Sequence, residues 1–405
     1  MRYNESMTQV LTISCKLKVN ALQATKLDAT LDVFWQALNW VNQNTPEKIA
    51  NAVKLQSLCY YEVRSRFGLS SNLAQQVCRR VAGSRKVAKQ KNRPVKAFKV
   101  GFVTYDARTF SFREKDWTVS LTTVDGRERF DLAIGNYQVG ALKGSNPKSA
   151  TLVKRQDGSY YLQIGLESEP PEPQESEDVL GVDLGRTDIA HTSEGQNWEG
   201  QSINKVRDHY ANLRAKLQRK ASKGTRSTRR RVRELLQRLS GRERRFQAWL
   251  NHNISKSLVQ TAKSKHASIA LEDLTGIRER TNQQPRNKTE RRRSNSWAFN
   301  QLRLFIDYKA LGAGVKVLLV KPAYTSQTCH QCLHIHPVKG ESYRSGKRFA
   351  CGHCGWHGDA DYNGANLIRL IGLSVIQPGG SYLSCEISRG LLKLPGLLES
   401  PRCTA

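Results

Sequence analysis

The sequence predicts a chain of α/β plus β class: a β-domain carrying a helical insertion, then an α/β domain with an inserted four-cysteine ribbon. Three observations carry that expectation. The hydrophobic period changes from two to about 3.6 and back to two within the first 166 residues. An acidic, proline-rich stretch, ESEPPEPQESED at 167–178, interrupts an otherwise basic chain. Two Cys-x2-Cys pairs, Cys329/Cys332 and Cys351/Cys354, lie in the C-terminal part.

Each element follows from local pattern. Residues 10–19 alternate, with Leu11, Ile13, Cys15, Leu17 and Val19 on one face, and read as a strand. Leu27, Leu31, Phe34, Leu38 and Val41 then step by four and three, the mark of an amphipathic helix. Helical character resumes from 47 to 90, broken near Gly68, with Arg79, Arg80, Arg85, Lys86, Lys89 and Lys91 crowding its end. From 96 to 166 the period is two again, and Asp125-Gly126 and Asp157-Gly158 signal hairpins. Residues 1–20 and 96–170 therefore form the β-domain, 21–95 its helical insertion, and 171–178 a linker.

The α/β domain spans 179–376. Leu180–Gly185 reads as a buried strand ending in a turn, and Ser268–Asp273 as a second one closing on carboxylates. Lys205–Arg245 carries 16 basic and 3 acidic residues, yet keeps apolar side chains at helical spacing on both sides of Gly224. Such a run reads equally as a solvated face. The near absence of acids and the break at Gly224 favour two helices lying along a phosphate backbone, with Arg229, Arg230 and Arg231 as contacts. Residues 281–295 read as a mobile Arg-rich loop, Trp297–Ala310 as a helix, Val315–Val320 as a strand, and 361–372 as a helix. The ribbon occupies 324–358, and the tail 377–405 lacks periodicity and is expected to be disordered.

Composition bounds the partners. Among 405 residues, 65 Lys and Arg face 35 Asp and Glu, leaving a formal charge of +30. That excess predicts a polyanion, with nucleic acid the commonest case. No segment approaches the roughly 18 apolar residues of a membrane span, and the N-terminus has no signal-type apolar core. Nine cysteines, four of them in one cluster, suit a reducing compartment, so a cytoplasmic protein is expected.

The two cysteine pairs, 18 residues apart, offer four soft thiolates for one tetrahedral Zn²⁺. A closed site of that kind is structural. His330, His334, His336, His353 and His357 cluster around it and read as loop residues. Hydrolytic chemistry falls to carboxylates. Asp183 ends one strand, Glu272 ends another, and Asp361 starts a helix, the arrangement that holds two Mg²⁺ (or Mn²⁺) ions for phosphodiester cleavage. Asp183 is the candidate bridge between the ions. Asp188, Asp273 and Asp359 compete as neighbours, and spacing alone does not choose among them. No P-loop is present, and Gly181-x3-Gly185 is not a dinucleotide fingerprint.

The order Gly-Val-Asp-Leu-Gly (181–185), Leu-Glu-Asp-Leu (271–274), Tyr-Thr-Ser-Gln-Thr-Cys-x2-Cys (324–332), Cys-x2-Cys-Gly (351–355) and Asp-x-Asp-x-Asn-Gly-Ala-Asn (359–366) closely resembles TnpB. That is the OrfB zinc-ribbon family of insertion sequences, related to type V CRISPR effector nucleases. The match covers 179 to about 370. It implies an RNase H-like (RuvC) nuclease domain with Asp183, Glu272 and Asp361 as the metal-binding triad. It also implies a wedge-type β-barrel with a helical recognition lobe in residues 1–170, a guide RNA from the transposon end, and double-stranded target DNA. A short motif beside the target would be read by the protein, and the rest by base pairing. Within that lobe Gln75, Gln76, Arg79 and Arg80 are candidate base readers, and Tyr60 a stacking or backbone contact, against the plainer reading of exposed helix residues. The family often has Ala-Ala after the Asn, where this chain has Gly364-Ala365, leaving a CRISPR-associated effector as the alternative. A guided binder without cleavage is a further alternative, which the three intact acids disfavour. A tyrosine-dependent strand-transferring transposase lacks its His cluster here.

Overall fold

The computed structural model describes residues 9–185, 188–275 and 299–377. The Arg-rich loop expected at 281–295, Trp297 and the tail from 378 lie outside them. The chain divides into two compact units, Met1–Glu169 and Pro170–Ala405.

In the first unit, strand β1 (Gln9–Lys18) leads into helices α1 (Ala21–Asn44), α2 (Ala52–Phe67) and α3 (Ser71–Gln90). Gly68, at φ +61°, ends α2 in a left-handed cap, which explains the break read from the sequence. Strands β2 (Phe102–Asp106), β3 (Phe110–Arg113), β4 (Thr118–Thr123), β5 (Gly126–Ala133), β6 (Ser149–Lys154) and β7 (Tyr160–Ser168) follow, with a short helix α4 (Asn136–Leu142) between β5 and β6. Both expected hairpins form, Gly126 and Gly158 supplying φ of +105° and +80°. The seven strands pair antiparallel in the order β2-β6-β7-β1-β5-β4-β3. Its two edge strands, β2 and β3, are joined by only residues 107–109, so the sheet must curl to bring its edges together. Phe34, Leu55, Leu73, Tyr105, Phe110 and Phe130 fill one shared core between sheet and helices.

Arg85, one of the cations that crowd the end of the helical stretch, is buried at 3% exposure. Its guanidinium donates to the carbonyls of Asn42, Thr45, Pro46 and Ile49 and to Thr45 Oγ1, satisfying the C-terminal end of α1 and the turn after it.

The second unit is built on strands β8 (Asp178–Asp183), β9 (Asp188–Thr192), β10 (Asn197–Glu199), β11 (Ala267–Glu272) and β12 (Val317–Val320), ordered β10-β9-β8-β11-β12. β8, β11 and β12 are parallel, whereas β9 and β10 run antiparallel. Between β10 and β11 run α5 (Gln201–Lys223), α6 (Arg226–Leu239) and α7 (Arg242–Ser264). The first two match the expected pair around Gly224. The third is not legible in the sequence, since its buried apolar positions Ile254, Leu258 and Ala262 sit among polar residues. Helix α8 (Phe299–Ala313) precedes β12, and α9 (Ala360–Ile376) closes the unit.

Strand parity sorts the two faces of this sheet. Leu180, Val182, Ile269 and Leu271 pack with Ile254, Leu258, Leu302 and Ile306 of α7 and α8. Val179, Ala270 and Val320 pack with Leu367, Ile368 and Ile371 of α9. The α9 face admits a very close approach at Gly181, where a Cβ would lie 2.1 Å from the Ala365 carbonyl oxygen. Among the described residues, no helix is long and apolar enough to cross a membrane.

Candidate metal centres

The alternation of side chains along β8 and β11 determines where the acids point. Asp183 lies on the face of Val179 and Gly181, and Glu272 on that of Ala270, which is the face covered by α9. Parallel pairing sets Leu271 opposite Val182, so Asp183 and Glu272 emerge side by side at the carboxyl ends of their strands. Asp361 reaches them from the first turn of α9. All three line one cavity of about 590 Å³, together with Lys321, Thr325 and Arg344.

The electrostatics of the cavity are those of crowded like charges. Burial, then the charges of Glu272 and Asp361, hold the Asp183 carboxyl well above the usual carboxylate range, with Arg344 pulling the other way. Burial raises Glu272 too, opposed by the Thr325 hydroxyl that donates to its Oε1 and by the charge of Arg344. Asp361 is 4% exposed; its Oδ1 accepts from Arg344 Nη2 at 2.7 Å. Its Oδ2 is buried with no hydrogen-bond partner among the described residues. Hard carboxylate oxygens, an orphaned one among them, fit a divalent cation such as Mg²⁺ or Mn²⁺.

The neighbouring acids have other employment. Asp359 caps α9, its Oδ1 accepting from the N–H groups of Asp361 and Tyr362. Asp273 accepts from Thr275 and Arg303. Asp188 pairs with Lys347.

The four cysteine sulfurs lie within 4.8 Å of one another. Cys329 to Cys354 is 3.8 Å and Cys332 to Cys351 3.7 Å. Four sulfurs at the ~2.3 Å of a zinc–thiolate bond stand ~3.8 Å apart in a tetrahedron, a spacing that these two pairs match, so the donor set fits zinc. Both knuckles share one backbone pattern. Cys329 N–H donates to His334 O and Leu333 N–H to Cys329 O, as Cys351 N–H does to Trp356 O and Gly355 N–H to Cys351 O. Leu333 and Gly355 both take positive φ, of 58° and 77°. Strands β13 (Arg344–Ser345), β14 (Arg348–Ala350) and β15 (His357–Asp359) complete the ribbon.

Asn363 joins the two centres. Fully buried, it accepts from the backbone N–H of His330 at 3.0 Å and donates to Thr328 O at 2.8 Å. The first knuckle is thereby fixed to α9 two residues beyond Asp361. His330 turns to Asn363, and His334 stacks on His353, so these three histidines have partners outside the thiolate cluster.

The expected nucleic-acid contacts fare unevenly. Arg229, Arg230 and Arg231 are exposed on α6, and Arg230 pairs with Glu234. Gln75 is half-buried, Arg79 lies 4.0 Å from Asp106, and Arg80 covers the Phe102 ring. Gln76 is corrected by the structure: it is buried and its amide donates to Asp106 Oδ2, withdrawn from any base edge. Tyr60 is half-buried and donates to Ser71 Oγ. Arg344 was missed altogether. It lies inside the ribbon loop with no motif around it, and only the tertiary fold brings it to Asp361.

The fold and centres define an α/β protein with a carboxylate cluster beside a four-thiolate ribbon. Residues 163–275 match the OrfB_IS605 family model, described as "Probable transposase", and 299–368 match the Cas12f1-like TNB domain model. A TnpB-like protein of Methanocaldococcus jannaschii is 31% identical over 168 residues, covering 40% of this chain and 58% of that protein. The CRISPR-associated endodeoxyribonuclease Cas12f1 of Sulfoacidibacillus thermotolerans is 29% identical over 249 residues, covering 58% and 54%. The chain thus spans just over half the length of these curated relatives. A cryo-EM structure of a Cas12f1–sgRNA–target DNA complex shares the fold, with a TM-score of 0.56, 14% identity and coverage of 85% and 81%. The chain is a relative of the TnpB proteins and of the type V CRISPR effectors.

Proposed function

We propose that the protein is an RNA-guided, Mg²⁺-dependent DNA endonuclease of the insertion-sequence type, cutting double-stranded DNA beside a short adjacent motif. The observation that carries the reading is the convergence of Asp183, Glu272 and Asp361 on one cavity from two parallel strand ends and a helix N-terminus. In this reading the five-stranded sheet is the RNase H-like (RuvC) core of 179–376, and the curled seven-stranded sheet the wedge barrel. Helices α1–α3 are then the recognition insertion.

Asp183, at the end of a rigid strand, would hold the divalent cations together with Glu272 and Asp361. Glu272 is oriented by Thr325, and Asp361 offers its free Oδ2. Magnesium held there supplies Lewis-acid polarisation of the scissile phosphate and lowers the pKa of an attacking water. Arg344 keeps a guanidinium in the lining of the same cavity, a donor suited to a phosphate oxygen. Cys329, Cys332, Cys351 and Cys354 would hold a zinc ion that staples the ribbon carrying Arg344.

The partner classes rest on the similar proteins' names, an endodeoxyribonuclease and a complex of Cas12f1 with sgRNA and target DNA. The exposed arginines of α6 suit a nucleic-acid backbone, and Gln75, Arg79 and Arg80 the adjacent motif. The guide is expected from the transposon end and the site of action in the cytoplasm. The test is plasmid cleavage by the protein co-expressed with its flanking DNA, with Mg²⁺ or EDTA. Cleavage in Mg²⁺ by wild type and its loss in Asp183→Ala support the reading. No cleavage of a matched target, or equal cleavage by the variant, overturns it.

A further inference from the structure

The β13–β14 hairpin, with its turn at Gly346-Lys347, carries two cations that reach two different acids of the α/β core. Arg344, at the start of the hairpin, donates to Asp361 Oδ1 at 2.7 Å and to the Gly346 carbonyl at 3.0 Å. Lys347 Nζ stands 2.7 and 2.8 Å from the two oxygens of Asp188, at the start of β9. The Lys347 carbonyl also accepts from Ala360 N–H at 2.7 Å. Asp188 is 1% exposed, whereas the Lys347 side chain is 43% exposed.

Zinc cannot fix this turn alone. Arg344 is 12 residues beyond Cys332 and 7 before Cys351. Strand β13 holds two residues and is the edge of its sheet, paired only to β14 among the described residues. A guanidinium on so short an edge would swing unless something fastened the turn. A carboxylate buried like Asp188 needs a cation and strongly disfavours its removal. An apolar pair would stabilise the core as well. The charged pair therefore makes sense as a register device, since only one placement of the turn satisfies both acids.

We propose that the β13–β14 turn is a two-pronged clamp in which the Lys347–Asp188 pair fastens the hairpin so that Arg344 stays on Asp361. Lys347 and Asp188 are positioning residues. The inference rests on the nuclease reading above for its functional consequence, and on the two ion pairs for its structure.

The experiment compares wild type, Lys347→Met, Lys347→Arg and the doubly neutral Asp188→Asn/Lys347→Met in the RNA-loaded protein. The double variant leaves no unpaired buried charge, so it should fold even where Lys347→Met does not. Zinc content, single-turnover cleavage, target affinity and amide exchange over residues 342–350 are measured on each. The expected result for the double variant is unchanged zinc and target affinity, faster exchange across the hairpin, and cleavage slowed by about 10- to 100-fold. Lys347→Arg keeps the pair and restores both exchange and rate. Wild-type exchange protection in the double variant overturns the clamp, and so does cleavage at the wild-type rate. If wild type itself fails to cleave, the nuclease reading falls, and the exchange measurement still decides the clamp.

Discussion

Gly364 lies directly against Asp183: a Cβ at 364 would stand 3.1 Å from Asp183 Oδ2. Helix α9 therefore presses its bare backbone onto the carboxylate that ends β8. The departure from Ala at this position in the resembled family has a structural correlate in the clearance of the cavity wall. Gly364→Ala gains about 0.5–1 kcal/mol of helix propensity, which the displacement of the Asp183 carboxylate offsets, so the melting temperature of the metal-free protein should change little. The Asp183 carboxylate must give way by a few tenths of an ångström, and cleavage should fall by less than about tenfold. Gly364→Val, with branches aimed at the same oxygen, should abolish it. Equal activity of Val and Gly at 364 would contradict the contact.

Asp183→Asn should remove cleavage by at least about 1,000-fold while target binding persists. It should also stabilise the metal-free protein. The Asp183 carboxyl is raised in the fold, so the folded state holds its proton more tightly than the unfolded chain. Stability from that source is present at low pH and lost as pH rises from the ordinary carboxylate value through the raised one. The melting-temperature advantage of Asp183→Asn in EDTA should therefore grow as pH rises out of the ordinary carboxylate range. Mg²⁺ should raise the melting temperature of wild type and leave that of Asp183→Asn nearly unmoved.

Cys329→Ser removes one of four thiolates from a site that is 0% exposed at that residue. Wild type should carry one zinc per chain by native mass spectrometry, and the variant none. Loss of zinc frees the knuckle that Asn363 ties to α9, so activity should fall with it. A soluble, fully active, zinc-free variant would contradict the structural role.

Arg85→Met should destabilise the first unit by about 3 kcal/mol, because four carbonyls and a hydroxyl lose a buried cationic donor. Denaturant unfolding followed by helix signal checks it. An unchanged midpoint would contradict the cap.

Much of this was legible in the sequence because it is local. The period switches, Gly68, the two hairpin glycines and the cysteine knuckles each declare themselves within a few residues. Asp361 could be distinguished from Asp359 only through the family motif, and the structure supplies the reason: one caps α9 and the other faces the cavity. Arg344, Lys347 and Arg85 were illegible, since each acts on residues 17, 159 and about 40 positions away. Gln76 misled for the same reason. An amide on a helix near arginines resembles a base reader until the fold sets Asp106 against it. Helix α7 escaped because its buried face carries Asn251 and Ser255 among its apolar residues.

The most direct measurement is sequencing of the RNA that co-purifies with the protein expressed beside its native flanking DNA. The account predicts one abundant RNA with a constant scaffold and a 3′ segment running past the element end, which names the target to be cut. Heterogeneous cellular RNA, or none, would contradict guidance and leave the three carboxylates to be tested as an unguided nuclease centre.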